Sequence, residues 1–118
     1  MPNATVAAKT LTLEVEQKDS RVVVHCSGRL VSETGNILYN KVRELVPGNK
    51  CIVLDLTGIA YVDSMGLGSL VRSYVSCKSG GATLQLINLG KQIRELLGIT
   101  NLFSVFADMC EHGITPRF

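Results

Sequence analysis

The chain of 118 residues is 46% hydrophobic, enough to build a core, but it is too short for two ordinary domains. Twelve basic residues against ten acidic ones give a formal net charge of +2, without the basic excess that is typical of nucleic-acid-binding modules. The 19% of charged residues and the many aliphatic ones exclude a disordered chain, and no apolar run approaches the roughly 18 residues of a membrane span. We therefore expect one domain over residues 1–118 that is cytoplasmic, with no nucleic-acid partner and no membrane insertion.

The first part of the chain predicts a β-hairpin behind a loose leader of small and polar residues, 1–9. Residues 11–17 alternate apolar and polar, which is typical of a half-buried strand. Residues 18–20 have the composition of a turn. Residues 21–27 are rich in β-branched side chains and predict the second strand, which Gly28 is expected to end.

A helix is predicted next, because the spacing of the apolar residues changes. They recur at helical intervals across residues 37–46, and Ser32 or Thr34 is the candidate N-cap. The Pro-Gly-Asn sequence at 47–49 ends this helix.

Residues 51–56 form a short and nearly continuous apolar run, which predicts a central strand covered on both faces. Thr57 and Gly58 are expected to break this strand. Residues 59–62 then lead into the Asp-Ser pair that precedes the next helical pattern.

The remaining elements continue the alternation of helix and strand. We predict a helix after Ser64 that stops at residues 79–81, followed by a strand at 83–87. A helix at 89–97 is closed by Gly98, and the chain then forms a strand at 103–106 and a helix at 107–112. Single helices between strands indicate crossovers. We therefore predict the α/β class, with a mixed, mostly parallel sheet opened by an antiparallel hairpin and with helices following the later strands.

The cysteines and histidines give little basis for a metal site. The four cysteines are Cys26, Cys51, Cys77 and Cys110, and no two of them have the C-x-x-C spacing that grips a metal or exchanges a disulfide. The only histidines are His25 and His112. We expect reduced cysteines that pack as small hydrophobic residues, no metal, and a fold that needs neither metal nor disulfide.

The most informative stretch is residues 53–68, where a buried strand leads into a helix. In open α/β sheets, binding sites gather at the carboxyl ends of the strands. Ser64 is expected at a helix N-terminus, where unpaired N–H groups and the positive dipole end favour a phosphate, and Asp63 is expected to cap that helix. Gly66 and Gly68 lack side chains and let another backbone approach closely.

The residue types alone favour a binding module over an enzyme. An Asp-Ser pair before a helix is most often only an N-cap, and the Gly-x-Gly at 66–68 lacks the third glycine of a dinucleotide fingerprint. Ser64 has no evident general base, because His25 lies in an alternating strand and His112 lies near the C-terminus. We expect no catalytic residue and no cofactor.

At these residues the chain resembles the STAS domain, specifically the bacterial anti-sigma factor antagonists, over essentially its whole length. The resemblance rests on Ser-Gly-Arg-Leu at 27–30, Ile-Val-Leu-Asp-Leu at 52–56, Tyr-Val-Asp-Ser-Met-Gly-Leu-Gly at 61–68, Gly-Gly at 80–81 and Leu-Leu-Gly-Ile-Thr-Asn-Leu-Phe at 96–103. It implies the STAS fold. Two residues depart from the family pattern: Val31 stands where members often carry an acidic residue, and Met65 stands where many carry a small one.

The resemblance further implies a phosphorylation switch at Ser64. The unmodified protein would bind a partner that is both anti-sigma factor and serine kinase, and so free the sigma factor; the phosphorylated form would not bind, and a phosphatase would restore it. The implied partner-binding residues are Asp63, Ser64, Met65, Gly66, Leu67, Arg29 and Ser32. We expect a monomer or a weak dimer.

Two other functions compete with this one. The first is a STAS regulatory module of a transporter or of a signalling assembly without sigma-factor control. The second is a small hydrolase or nucleotide-binding domain, which the missing general base and the missing phosphate-loop motif disfavour.

Overall fold

The computed structural model describes residues 11–19 and 21–100. The elements in chain order are β1 Leu11–Lys18, β2 Arg21–Leu30, α1 Gly35–Leu45, β3 Cys51–Val62, α2 Ser64–Ser79, β4 Thr83–Ile87 and α3 Lys91–Thr100. The predicted leader, the predicted strand at 103–106 and the predicted helix at 107–112 lie outside the described residues, as do Cys110 and His112.

The four strands form one sheet in the order β1-β2-β3-β4. β1 pairs antiparallel with β2, and the other two pairs are parallel. This confirms the prediction of an α/β protein with a mostly parallel sheet opened by an antiparallel hairpin. A helix follows each of β2, β3 and β4.

The core forms where the alternating apolar side chains of the sheet meet the helices. Val24 of β2, Leu54 of β3 and Leu86 of β4 are all fully buried, and they join one cluster with side chains from the helices. Val53 points to the opposite face of β3 by the two-residue period of a strand, and it too is fully buried. β3 is therefore covered on both faces at this point, as predicted.

Two glycines that were expected to end strands lie inside them instead. β2 continues through Gly28 to Leu30, and Gly28 takes a φ of 116°, which a side chain rarely tolerates. β3 continues through Gly58 to Val62, and a Cβ at Gly58 would overlap the hydroxyl of Ser27 on the neighbouring strand. The pairing of β2 with β3 shifts register near both glycines, so they mark bulges in the sheet and not breaks.

A third predicted boundary was also wrong, because α3 runs from Lys91 to Thr100 and passes through Gly98. A glycine inside a helix costs only about 1 kcal/mol relative to alanine. Burial of Ile93 and Leu97, which are 2% and 0% exposed, outweighs that cost.

Candidate functional site

The site that the sequence points to lies at the start of α2. Asp63 has an extended backbone, with φ −112° and ψ −178°, and its side-chain Oδ1 accepts the N–H of Gly66 at 2.8 Å. The predicted N-cap is therefore confirmed. The N–H of Asp63 donates to the carbonyl oxygen of Leu30 at 3.2 Å, so the start of α2 is attached to the end of β2.

Gly66 brings the first turn of α2 against the backbone of β2. A Cβ built at Gly66 would overlap the carbonyl group of Leu30, so that only glycine fits here without displacement. The predicted close approach of a second backbone is thus confirmed at Gly66. At Gly68, in contrast, such a Cβ would meet no described atom within 4 Å apart from its chain neighbours and the backbone of its own helix, so the helix face is open there.

The loop from β2 to α1 forms the other side of the site and is fixed by Thr34. The Thr34 hydroxyl donates to the carbonyl of Arg29 at 2.7 Å and accepts the N–H of Val31 at 2.9 Å, and the residue is fully buried. Thr34 occupies the N-cap position of α1, but its side chain makes no capping hydrogen bond to the helix. The prediction that the Thr34 side chain caps α1 is therefore wrong, because its hydroxyl bonds to the backbone of the preceding turn instead. Ser32 is exposed and donates to Glu33 at 3.4 Å.

The loop from β2 to α1, the start of α1 and the N-terminal part of α2 line an open cavity of about 460 Å³, which we name the serine cleft. It is lined by Ser32, Gly35, Asn36, Ser64, Met65, Gly68 and Arg72. Ser64 is exposed at the first position of α2, and Met65 beside it is 64% exposed.

The structure brings together only some of the residues predicted to bind a partner. Ser32, Ser64 and Met65 line the serine cleft, and Asp63 caps the helix beside them. Gly66 and Leu67 are buried beneath the cleft, with Leu67 only 2% exposed. Arg29 is exposed but does not line the cleft; its guanidinium stacks on the ring of Tyr61, 5.3 Å from the centroid.

Sequence reasoning missed Arg72, which lines the far end of the cleft. Its Nη2 donates to Asn36 Oδ1 on α1 at 3.1 Å, and the guanidinium lies 4.6 Å from the centroid of the Tyr39 ring. The available signal was its position one helical turn beyond Gly68 on the same predicted helix. Nothing in the sequence pointed to the contacts with α1.

A second polar cluster lies on the sheet, and none of its members lines the serine cleft. His25 Nδ1 lies 2.8 Å from Asp55 Oδ2 on the neighbouring strand, and its Nε2 lies 3.1 Å from Glu16 Oε1 on β1. Asp55 also accepts hydrogen bonds from Thr57 and Asn88. The cluster ties β1, β2 and β3 together.

The hydrogen bonds of this cluster shift the pKa values of His25, Asp55 and Glu16. The hydrogen bond with Glu16, followed by that with Asp55, raises the pKa of His25 above its usual 6.5. Partial burial by itself raises the pKa of Asp55, but hydrogen bonds from Asn88, Thr57 and His25 outweigh burial and hold that pKa well below its ordinary range. The bond with His25 is also the main reason why the pKa of Glu16 is lowered.

Two of the three cysteines within the described residues pack in the core as predicted. Cys26 and Cys77 are buried, and Cys51 is half-buried. Burial, with a smaller contribution from Asp55, raises the pKa of Cys26 to about 12; burial, with Cys51 nearby, raises that of Cys77 to about 11. Both thiols are thus protonated and poor nucleophiles at neutral pH. The described residues contain no group of histidine, cysteine and acidic side chains arranged to hold a metal.

The fold and the site define the class of protein. The chain belongs to the STAS domain family, whose model matches residues 12–113. It is 27% identical over 92 residues to the anti-sigma-B factor antagonist of Bacillus subtilis (strain 168), covering 78% of this chain and 84% of that protein.

Two solved structures share the fold. The crystal structure of an anti-sigma factor antagonist from Mycobacterium paratuberculosis superposes with a TM-score of 0.71 at 23% identity, covering 92% of this chain and 87% of that one. The phosphorylated form of the Bacillus cell fate determinant SpoIIAA superposes with a TM-score of 0.63 at 16% identity, covering 79% of this chain and 86% of that one.

Across the described residues, every helix is too short or too polar to cross a bilayer.

Proposed function

We propose that this protein is an anti-sigma factor antagonist that binds its anti-sigma factor through the serine cleft and is switched off by phosphorylation of Ser64. The observation that carries the proposal is the position of Ser64: its hydroxyl is exposed at the first residue of α2, in a cleft whose two walls are fixed to each other. In this function the protein is no enzyme and holds no cofactor, and it acts in the cytoplasm.

Accessibility supports Ser64 as the phosphoacceptor. Ser69 and Ser73 on the same helix are fully buried, and their hydroxyls donate to the carbonyls of Gly66 at 2.5 Å and Ser69 at 2.8 Å. A kinase active site cannot reach them without unfolding the helix. Thr57 is exposed, but its hydroxyl donates to Asp55 at 2.6 Å.

The start of α2 supports a switch that leaves the fold intact. The first turn of a helix has N–H groups without an intrahelical acceptor and the positive end of the helix dipole, so the free protein tolerates a phosphate there. Asp63 supplies a like charge next to it. A partner that docks over the cleft would have to bury close to two added negative charges beside that carboxylate, and binding would be lost.

The relatives support the identity of the partner. The curated relative is named an anti-sigma-B factor antagonist, and SpoIIAA has been solved in a phosphorylated form. The proposed cycle then has three participants besides the sigma factor: this protein, an anti-sigma factor that is also a serine kinase, and a phosphatase that removes the phosphate from Ser64.

The proposal is tested by capture followed by site mapping. The wild-type protein and Ser64→Ala are used to capture partners from the native cell, and the captured kinase is then incubated with each protein and ATP. We expect both wild type and Ser64→Ala to capture an anti-sigma factor. The captured kinase should phosphorylate Ser64 of the wild type and should not phosphorylate Ser64→Ala. Thr12→Ala is the matched control, since it removes an exposed hydroxyl on β1 that does not line the cleft, and phosphorylation of Ser64 should be unchanged. Phosphate on Thr57 with Ser64 unmodified, or capture of transporter components in place of an anti-sigma factor, would contradict the proposal.

A further inference from the structure

A second surface groove lies between α1 and α2 and adjoins the serine cleft at Arg72. This helix groove has a volume of about 380 Å³ and is lined by Tyr39, Val71, Arg72, Val75, Ser76 and Ser79. Arg72 lines both cavities, so a protein that covers Ser64 and extends along α2 meets Arg72 next.

Two guanidinium groups surround Tyr39 in this groove. Arg72 reaches its ring from α2 at 4.6 Å from the centroid, and Arg43, one helical turn beyond Tyr39 on α1, lies at 5.7 Å. Stacking on an aromatic ring holds a guanidinium in place, so less conformational entropy is lost when it binds an acceptor. Both arginines are nevertheless exposed.

Neither arginine has an acidic partner in the described part of the chain. The ion pairs there join Lys18 and His25 with Glu16, His25 with Asp55, and Lys41 with Glu44. Within residues 11–19 and 21–100, the one hydrogen bond from Arg72 goes to the neutral amide of Asn36, whereas a guanidinium has five N–H donors in a fork that matches a carboxylate. No acidic side chain lines either cavity among the described residues.

The wall of the groove beside this charge is apolar. Val75 is 54% exposed and Val71 is half-buried, one helical turn apart on α2. An exposed apolar wall next to a fixed and unpaired positive charge fits a protein surface that offers an aliphatic or aromatic side chain with a carboxylate beside it.

We propose that the helix groove is the second half of the partner-binding surface, and that Arg72 binds a carboxylate of the anti-sigma factor there while a neighbouring apolar side chain of that partner packs on Val75. This inference rests on the proposed function, because it names the chemistry of the same partner. It assigns to Arg72 a role in specificity, since a partner that lacks the carboxylate would leave a buried guanidinium unpaired.

The first test is a calorimetric titration of the captured anti-sigma factor against wild type, Arg72→Gln and Arg72→Glu, with Arg21→Gln as the matched control. Arg21 is an exposed arginine at the opposite end of β2 from Leu30. We expect Arg72→Gln to weaken binding at least about tenfold, Arg72→Glu at least about a hundredfold, and the control to leave it unchanged. Thermal unfolding of each variant checks that the fold is intact.

The second test is a charge swap. Single acidic residues on the contact surface of the anti-sigma factor are changed to arginine, and each variant is titrated with Arg72→Glu. One of these changes should restore most of the lost affinity.

The outcomes separate this inference from the proposed function. If wild type does not bind the anti-sigma factor at all, the proposed function fails. If wild type binds and both Arg72 variants bind as tightly as wild type, the proposed role of Arg72 is contradicted but the proposed function is not. If Arg72→Glu is weak but none of the acidic-to-arginine changes restores it, a carboxylate is not the group that Arg72 binds.

Discussion

The carbonyl group of Leu30 occupies the space into which a side chain at Gly66 would project. Leu30 is the last residue of β2, and Gly66 lies in the first turn of α2. This contact and the hydrogen bond from the N–H of Asp63 to the same carbonyl fix the position of Ser64 relative to the loop that carries Ser32. The geometry of the serine cleft therefore depends on one close approach of two backbones.

Gly66→Ala is expected to lower the free energy of unfolding by about 3 kcal/mol, because the added Cβ displaces either the start of α2 or the end of β2. Gly68→Ala is the matched control two residues further along the same helix. Its Cβ would meet no described atom within 4 Å apart from its chain neighbours and its own helix backbone, so the substitution should be neutral or should stabilise the protein by up to about 1 kcal/mol. Urea denaturation of both variants tests this, and equal effects of the two substitutions would contradict the packing described.

Asp63→Ala is expected to lower the free energy of unfolding by about 1 kcal/mol, because the N–H of Gly66 loses its acceptor. Asp63→Asn keeps a side-chain oxygen in the same place and should retain most of that stability. Urea denaturation of the pair measures the cap. A loss with asparagine as large as the loss with alanine would show that the charge of Asp63, and not its hydrogen bond, supports the helix.

His25 is expected to stabilise the fold most at low pH. Its pKa is raised in the folded state, so its contribution is complete below the unfolded value of 6.5 and disappears as the pH rises through the folded pKa. His25→Gln should therefore lose more stability relative to wild type at about pH 5.5 than at about pH 8.5.

An NMR titration of the His25 ring in wild type and in Glu16→Gln tests the cause of this shift. The hydrogen bond with Glu16 is its largest source, so the pKa should fall when that carboxylate is removed. A wild-type pKa at or below 6.5 would contradict the ion-pair geometry.

The fold is expected to need neither metal nor disulfide. Thermal unfolding should be the same with and without reductant and chelator, since Cys26 and Cys77 are buried thiols. In a protein carrying Cys51→Ser and Cys110→Ser, the two remaining thiols should react with a thiol reagent only as the protein unfolds, because their pKa values are raised. A large drop in melting temperature with chelator, or fast modification of the folded protein, would contradict this.

The sequence was sufficient to predict most of the fold, because each segment carried its own periodicity. The alternation in β1, the apolar run at the start of β3 and the helical spacing in α2 all led to the observed elements. The glycines were harder to interpret. Gly28 and Gly58 have the composition of strand breakers, but both lie where neighbouring strands approach or bulge, which depends on pairing between distant segments.

The candidate site was predictable only where its chemistry is local. The cap of Asp63 on Gly66 spans three residues, so the sequence displays it directly. The contacts of Arg72 join two helices, and the pairing of His25 with Asp55 depends on the register of β2 against β3. Neither is encoded in a short motif.

The most direct test of the central claim is a calorimetric titration of the anti-sigma factor with unmodified protein, with protein phosphorylated on Ser64, and with Ser64→Ala. The phosphate adds close to two negative charges beside Asp63, and burying them in the complex should cost about 3 kcal/mol, or roughly a hundredfold in affinity. Ser64→Ala should bind like the unmodified protein, and Ser64→Asp should reproduce only part of the loss, because it carries one charge. Equal affinity of the phosphorylated and unmodified proteins would contradict the account.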